Sequence, residues 1–355
     1  MKKSSLKILL AALIFISVFS CSNKPSSEKL PLSVKTSLNL LPEKPQFVMY
    51  VNFKFLRTTE FWKENLSDSV FSAENTFGSI LNVFKSATGA TISDGLDEIF
   101  FANSWTGENA IVMKGSFERN KIAKFLSNDS LFRKTDDKGF VYYTHLPSNT
   151  MFFQKDNFTL CASNYPAQLS KMNDITDTSN TGLINNQELM TAINAIMYKD
   201  GLWLVSTEKT FIRGIFANFM DMKSGKKFDK TNSNVDSLMN SAPDSLSKSD
   251  EIITNKLYEK ISSISLNAKM KTELDLVLQF ECMDGDASVY IDKLFNGIIG
   301  LAKISSAGKK DKKSAFDKVL NDISVSRYDN TVLISARINS GNIKDFRNSN
   351  LFLKN

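Results

Sequence analysis

From Ile264 to Phe280 the chain alternates. Ile264, Leu266, Ala268 and Met270 are separated by polar residues, and so are Leu274, Leu276, Leu278 and Phe280. A period of two puts these apolar side chains on one side of a pleated ribbon. The stretch therefore predicts an antiparallel hairpin with one wet face. That hairpin belongs to an order of elements that occurs twice. In the first half, Phe47–Phe53 is an aromatic-rich strand, and Phe77, Ile80, Leu81 and Phe84 have helical spacing. Glu98–Asn103 and Ala110–Ser116 flank a Gly107-Glu108-Asn109 turn. A short helix with Ile122, Phe125 and Leu126 on one face comes next, then strands at 140–144, 151–154 and 158–162. In the second half, Leu202–Val205 is a strand leading into a helix with the stripe Phe211, Ile212, Ile215, Phe216 and Phe219. The 264–280 hairpin follows, then a long helix from about Asp286 with Ile291, Leu294, Phe295, Ile298, Leu301 and Ala302 as its core stripe. A last hairpin turns at Asp329-Asn330. Each half reads strand, helix, hairpin, helix, hairpin. The expected class is α+β: two similar halves, largely antiparallel sheets, helices on one face and the other face open to solvent or ligand.

Two stretches carry no apolar period. Residues 21–45, rich in Ser, Lys and Pro, read as a flexible tether. Residues 221–250 read as a low-complexity insertion. The first half then spans 46–180, the second 181–346, and 347–355 is a tail.

The first twenty residues are set apart. Lys2 and Lys3 precede an apolar run, Ile8–Phe19, that is too short to span a bilayer and right for the core of a secretory signal. It ends Val18-Phe19-Ser20-Cys21. This resembles the lipobox of bacterial lipoproteins: an aliphatic residue at −3, a small one at −1, then Cys. Phe19 at −2 is bulkier than usual. The resemblance implies cleavage after residue 20, a diacylglyceryl group on the Cys21 sulfur and an acylated Cys21 amine (the palmitate-type modification). Several acyl chains, at ~0.8 kcal/mol per buried CH₂, hold a protein stably on a membrane. The expected place is the cell envelope, in the outer membrane or on the periplasmic side. The expected partners are that membrane, through Cys21, and an unidentified envelope protein. The Leu41-Pro42-Glu43-Lys44-Pro45-Gln46-Phe47-Val48-Met49-Tyr50-Val51-Asn52 opening is also similar to the start of uncharacterised bacterial envelope lipoproteins. So are Val112–Phe117 followed by a helix, and the closing Asp329-Asn330-Thr331 hairpin. Such families imply a fold and no catalytic residues.

Charge speaks against nucleic acid. The formal net charge is +6, and removing Lys2, Lys3 and Lys7 with the signal leaves +3, no electrostatic footprint for a polyanion. At 42% hydrophobic and 23% charged residues, the chain is neither disordered throughout nor a multi-span membrane protein.

Candidate chemistry is sparse. The single histidine, His145, reads as a partly exposed strand-end residue. Cys161 and Cys282 lie on apolar strand patterns; they read as two buried free thiols, with a disulfide between the halves as the alternative. Ser206-Thr207-Glu208-Lys209 has the Ser-x-x-Lys spacing of a lysine-activated serine nucleophile. The same spacing recurs at Ser224–Lys227, Ser245–Lys248 and Ser306–Lys309, so Ser206 or Thr207 reads as a helix cap. Asp284-Gly285-Asp286 resembles a calcium loop, but its fifth and twelfth positions are Ser288 and Phe295, so the acids read as a helix N-cap. Asp97-Glu98 has no acidic partner in the pattern. Lys226-Lys227, Lys309-Lys310 and Lys312-Lys313 read as solubilising charge. The 27 phenylalanines and 12 methionines read as core, with an apolar groove as the alternative. No catalytic residue, metal or cofactor is expected. The leading function is a non-enzymatic binding or interaction module on a lipid anchor. The alternatives are a carrier of hydrophobic ligands or lipids and, behind it, a Ser206/Lys209 hydrolase.

Overall fold

A computed structural model describes residues 24–66, 88, 94–104, 106–117, 119–176, 181–223, 257–307 and 315–348. Cys21, the Phe77–Phe84 helix, the lysine clusters at 226–227 and 309–313, and nearly all of the 221–250 insertion lie outside these residues. Residues 221–223 belong to a helix, not to the insertion.

All twelve described strands join in one antiparallel sheet. In chain order they are β1 (Phe47–Asn52), β2 (Leu96–Asn103), β3 (Asn109–Gly115), β4 (Phe132–Asp137), β5 (Phe140–His145), β6 (Thr150–Asp156), β7 (Thr159–Ser163), β8 (Leu202–Ser206), β9 (Ile261–Met270), β10 (Leu274–Cys282), β11 (Ser324–Tyr328) and β12 (Thr331–Ile338). Across the sheet the order is β11-β12-β10-β9-β8-β1-β2-β3-β7-β6-β5-β4. The two halves therefore share a sheet. They meet at its centre, where Val48 pairs with Val205 and Tyr50 with Trp203. The 264–280 hairpin forms in the alternating register, Leu266 opposite Leu278. Asp329, at φ 47°, makes the last turn, with Tyr328 opposite Thr331.

Helices cover both faces, a correction to the one-sided arrangement. Val48, Tyr50, Phe100, Val112 and Trp203 belong to one core; their alternating neighbours Val51, Ile99, Ile111 and Met113 belong to another on the opposite side. β1 and β3 carry continuous apolar runs because both of their sides are buried. On the first face lie α1 (Leu32–Leu38), a short helix α2 (Pro166–Asp174) and α3 (Gln187–Ala195), which contribute Val34, Leu38, Leu169, Leu189 and Ile193. On the second lie Phe53, Phe61 and Trp62 from two short helices, and Ile122 and Leu126 from α4 (Arg119–Asn128). The second-half helices α5 (Lys209–Lys223) and α6 (Gly285–Ala307) close that face with Ile212, Phe216, Ile291 and Phe295 on Phe280 and Val332. Ile299 still packs on this core, but Leu301 and Ile304 are 61% and 72% exposed, where the stripe reading places Leu301 in the core.

The tether is also corrected. After Pro31, Val34, Leu38 and Leu41 recur at i, i+4, i+7 and are buried. The Leu41 carbonyl accepts from the Leu183 N–H at 3.1 Å, and the Asn39 side chain from the Gly182 N–H at 3.0 Å. A Cβ on Gly182 would lie 1.7 Å from the Asn39 carbonyl oxygen, so only glycine allows this approach. At the other end, α7 (Ser340–Asn348) carries two residues of the expected tail. Helix and sheet together make the α+β class; among the described residues no helix is long and apolar enough to cross a membrane.

Candidate functional site

On the first face, the second half of the sheet is polar. Its rows hold Ser263, Ser265, Asn267 and Lys269 on β9, Asp275, Gln279 and Glu281 on β10, and Thr331 on β12. Ser263, Ser265, Asn267, Gln279 and Thr331 are nonetheless buried. Over this face lie α3 and the residues that follow it, where Gln279 Nε2 donates to the Ala195 carbonyl and Asn267 Oδ1 accepts from the Tyr198 N–H; the segment 24–31 runs beside them as a strap.

Two clusters fasten the strap. At one end, the Lys24 ammonium is 2.6 Å from Glu281 Oε1 and 2.8 Å from Thr331 Oγ1. Gln279 Nε2 donates to Glu281 Oε1 at 2.6 Å, and Thr331 Oγ1 to Oε2 at 2.7 Å. At the other end, the Glu28 N–H donates to the Met197 carbonyl at 3.0 Å. The Glu28 carboxylate accepts from the Lys199 N–H at 2.7 Å and from Lys269 Nζ at 3.0 Å. Lys269 lies over the Tyr198 ring, 4.8 Å from its centroid.

Lys199 is the unusual member. It is 0% exposed. Its Nζ donates to the carbonyls of Glu28, Asn194 and Ile196 at 2.6, 2.9 and 2.6 Å. Burial pushes its pKa down to about 8, against the charge of Glu28. Burial alone would raise the Glu28 carboxyl, but the Lys199 N–H, Lys269 and the Asp200 N–H outweigh it and lower the pKa. The Lys269 ammonium is held up chiefly by its bond to Glu28, and Asp200 is raised by burial and by the Glu28 charge.

Beside the strap is a cleft of about 460 Å³. α3 forms its wall through Glu188, Thr191 and Ala195, and Thr207, Ser263 and Glu281 form its floor. It offers hydroxyls, the Glu188 carboxylate, the Glu281 carboxylate already paired with Lys24, and apolar patches. Such a lining suits the capture of a polar or amphipathic group. A second cleft, about 410 Å³, lies between the strap and α3 at Met190 and Asn194.

The residues singled out in the sequence fall elsewhere. Ser206 is fully buried, donates to the Gln46 carbonyl and accepts from the Glu208 N–H at 3.0 Å. Lys209 Nζ donates to the Glu259 and Ile261 carbonyls. The two do not form a nucleophile and its base. The cap is Glu208, whose Oε2 takes the Thr210 and Phe211 N–H groups at 2.8 and 3.2 Å, a correction to the capping by Ser206 or Thr207. Asp284 caps α6 through the Ala287 N–H at 2.8 Å, and its carboxyl is lowered first by the bond from Lys260. His145 is 7% exposed, not partly exposed; its Nδ1 lies 2.7 Å from Ser148 Oγ, and its ring packs on Phe132. Burial lowers its pKa, and the Asp129 charge opposes this. Cys161 and Cys282 are free and buried, each thiol pushed up to about 12, by burial first. Asp97 is held by Arg57 at 2.9 Å, and Glu98 accepts from the Tyr50 hydroxyl at 2.7 Å. Phe53, Phe61, Phe100, Phe216 and Phe280 fill the cores. Among the described residues no group of three His, Cys, Asp or Glu is placed to hold a metal ion.

Sequence reasoning missed Lys24, Glu28, Lys199, Lys269 and Glu281. A charged Lys199-Asp200 pair between an apolar helix and a buried strand is the one local signal they left.

No family model matches this chain, and no curated protein matches it. Solved structures of TP0453 are similar to it. Crystal form I gives a TM-score of 0.45 at 10% identity, covering 88% of this chain and 96% of that chain. Form III gives 0.43 at 10% identity, over 88% and 97%. Form IV gives 0.42 at 12% identity, over 85% and 92%. A likeness of this size assigns neither a family nor an activity.

Proposed function

We propose that this is a cell-envelope lipoprotein, anchored through Cys21, that works by binding and not by catalysis. The observation behind the anchor is the apolar run ending Val18-Phe19-Ser20-Cys21. The observation behind the binding role is the cleft between α3 and the Thr207–Ser263–Glu281 floor. Its hydroxyls and apolar patches favour a segment of another envelope protein as the occupant. With Ser206 serving as a buried bridge and Lys209 turned to β9, no nucleophile is offered there for a hydrolase reading. On this view the anchor lies in the outer membrane or faces the periplasm, and nucleic acid is not a partner. We also read the halves as similar units: β1-β2-β3-β7 and β8-β9-β10-β12 follow the same order from the central pair outward, each with its last strand on the third.

The test is cross-linking in native envelopes from a photoreactive residue at Thr191, with a control at Lys134 on β4. A recurrent protein neighbour seen from Thr191 alone supports the reading. Equal products from both positions overturn the cleft as the site. The second reading, a carrier of hydrophobic ligands, is favoured by exposed Leu301 and Ile304 on α6. Lipid co-purifying at one molecule per chain, beyond the Cys21 anchor, would move the assignment there.

A further inference from the structure

Resting on the Cys21 anchor, we propose that the folded body sits on its own membrane with the Glu281–Thr331 end of the sheet nearest the bilayer surface. Lys24 is bound at that end, on Glu281 and Thr331. Four residues on, Glu28 is bound at the row of Lys269, which faces Asp275. The strap thus crosses from the Lys269 row on β9 to Glu281 on β10 and Thr331 on β12, and followed backward from Glu28 to Lys24 it heads off the end of the sheet at Glu281. Cys21 lies three residues beyond Lys24. At full extension three residues reach ~10 Å. From Asp275 to Glu281 the strand rises ~20 Å, and the turn at Lys271–Glu273 lies farther still. A lipid on Cys21 thus holds the Glu281 end within reach of the membrane, whereas the leash brings no such constraint to the Lys271–Glu273 end.

A free tether would behave otherwise. A flexible chain from residue 21 to 45 would have a mean span of ~28 Å, comparable with the body, and would impose no orientation. The end that the strap selects carries Met283, an apolar side chain 58% exposed, and the Asp329-Asn330 turn. Met283 is held there by its N–H bond to the Lys260 carbonyl at 2.8 Å. An exposed methionine beside an acyl anchor suits the headgroup boundary of a bilayer.

The experiment uses the full chain, processed in cells and reconstituted in phosphatidylcholine–phosphatidylglycerol vesicles. Asn330→Cys and Thr272→Cys each receive a donor fluorophore; the native Cys161 and Cys282 are buried and stay unlabelled. Energy transfer to headgroup-labelled lipid is expected to be at least threefold stronger from position 330 than from position 272. Replacing Lys24 and Glu28 by alanine together should bring the two signals within a factor of about 1.5. Mass spectrometry of the N-terminal peptide is read on the same sample. A Cys21 peptide without lipid overturns the anchor and this inference with it. A lipidated Cys21 with equal transfer from both positions overturns the orientation alone.

Discussion

The Glu28 carbonyl oxygen lies 2.6 Å from the buried ammonium of Lys199, 171 positions along the chain. The contact explains how a fully buried lysine is tolerated: three backbone carbonyls replace its water, one of them supplied by the strap. It also ties stability to pH. The folded pKa of Lys199, about 8, lies below its ordinary 10.5. Below pH 8 the lysine is charged in both states, and the folded state carries the whole cost of burying the charge. Between about 8 and 10.5 the unfolded chain binds the extra proton, so stability rises with pH. The increment from this group is at most about 3 kcal/mol. Urea unfolding at pH 7.5 and pH 10 should show it as a Lys199-dependent difference. In Lys199→Met the increment should vanish. An equal change in both proteins would refute the assignment.

Gly182→Ala should loosen the seam between α1 and the 3₁₀ turn Leu183–Asn185. The new methyl would meet Asn39 backbone at 1.7 Å for oxygen and 2.6 Å for carbon, and backbone does not yield as a side chain does. A loss of roughly 2–3 kcal/mol is expected. Limited proteolysis should show cleavage within 32–41 that the unaltered protein resists.

Ser206→Ala tests whether this hydroxyl is structural. It bridges the Gln46 carbonyl and the Glu208 N–H inside the protein. Removing it leaves a buried acceptor unpaired and should cost about 1–3 kcal/mol. The denaturation midpoint should fall. A variant as stable as the parent would show that the bridge adds nothing.

The thiols should be silent until the fold opens. With a pKa near 12, about one Cys161 in ten thousand is thiolate at pH 8. In a form with Cys21→Ser, a thiol reagent should find no fast-reacting group in native buffer and two in guanidinium. A single fast group in native buffer would place Cys282, which lines the cleft, within reach of reagent.

The parts of the fold that were legible are those with a strict local period. The 264–280 hairpin, the Asp329-Asn330 turn and the α5 stripe at Ile212 and Phe216 formed where the spacing put them. Strand β4 was hidden because Phe132-Arg133-Lys134-Thr135-Asp136-Asp137 is an edge strand, where charge discourages pairing with other chains. Helix α1 was hidden by the Ser and Lys around Val34, Leu38 and Leu41, although their spacing is helical. Cover on both faces was written in the unbroken apolar runs of β1 and β3, which do not alternate. The strap clusters left almost no trace. Lys24 and Glu281 stand 257 positions apart, and only the folded sheet brings their charges together.

The sheet's strand order also sets a schedule. β1 is the first of the described strands in chain order, yet it lies at the centre and lacks one neighbour until residues 202–206 are made. Until then its open edge can capture the strand of another molecule. The strap waits longer still, because its partners Glu281 and Thr331 come far later in the chain. Closure of such distant pairs is slow. A chain built from its N-terminus therefore spends its first moments half-formed, with its centre exposed. A folding helper that shields a single strand edge would serve it best in that interval.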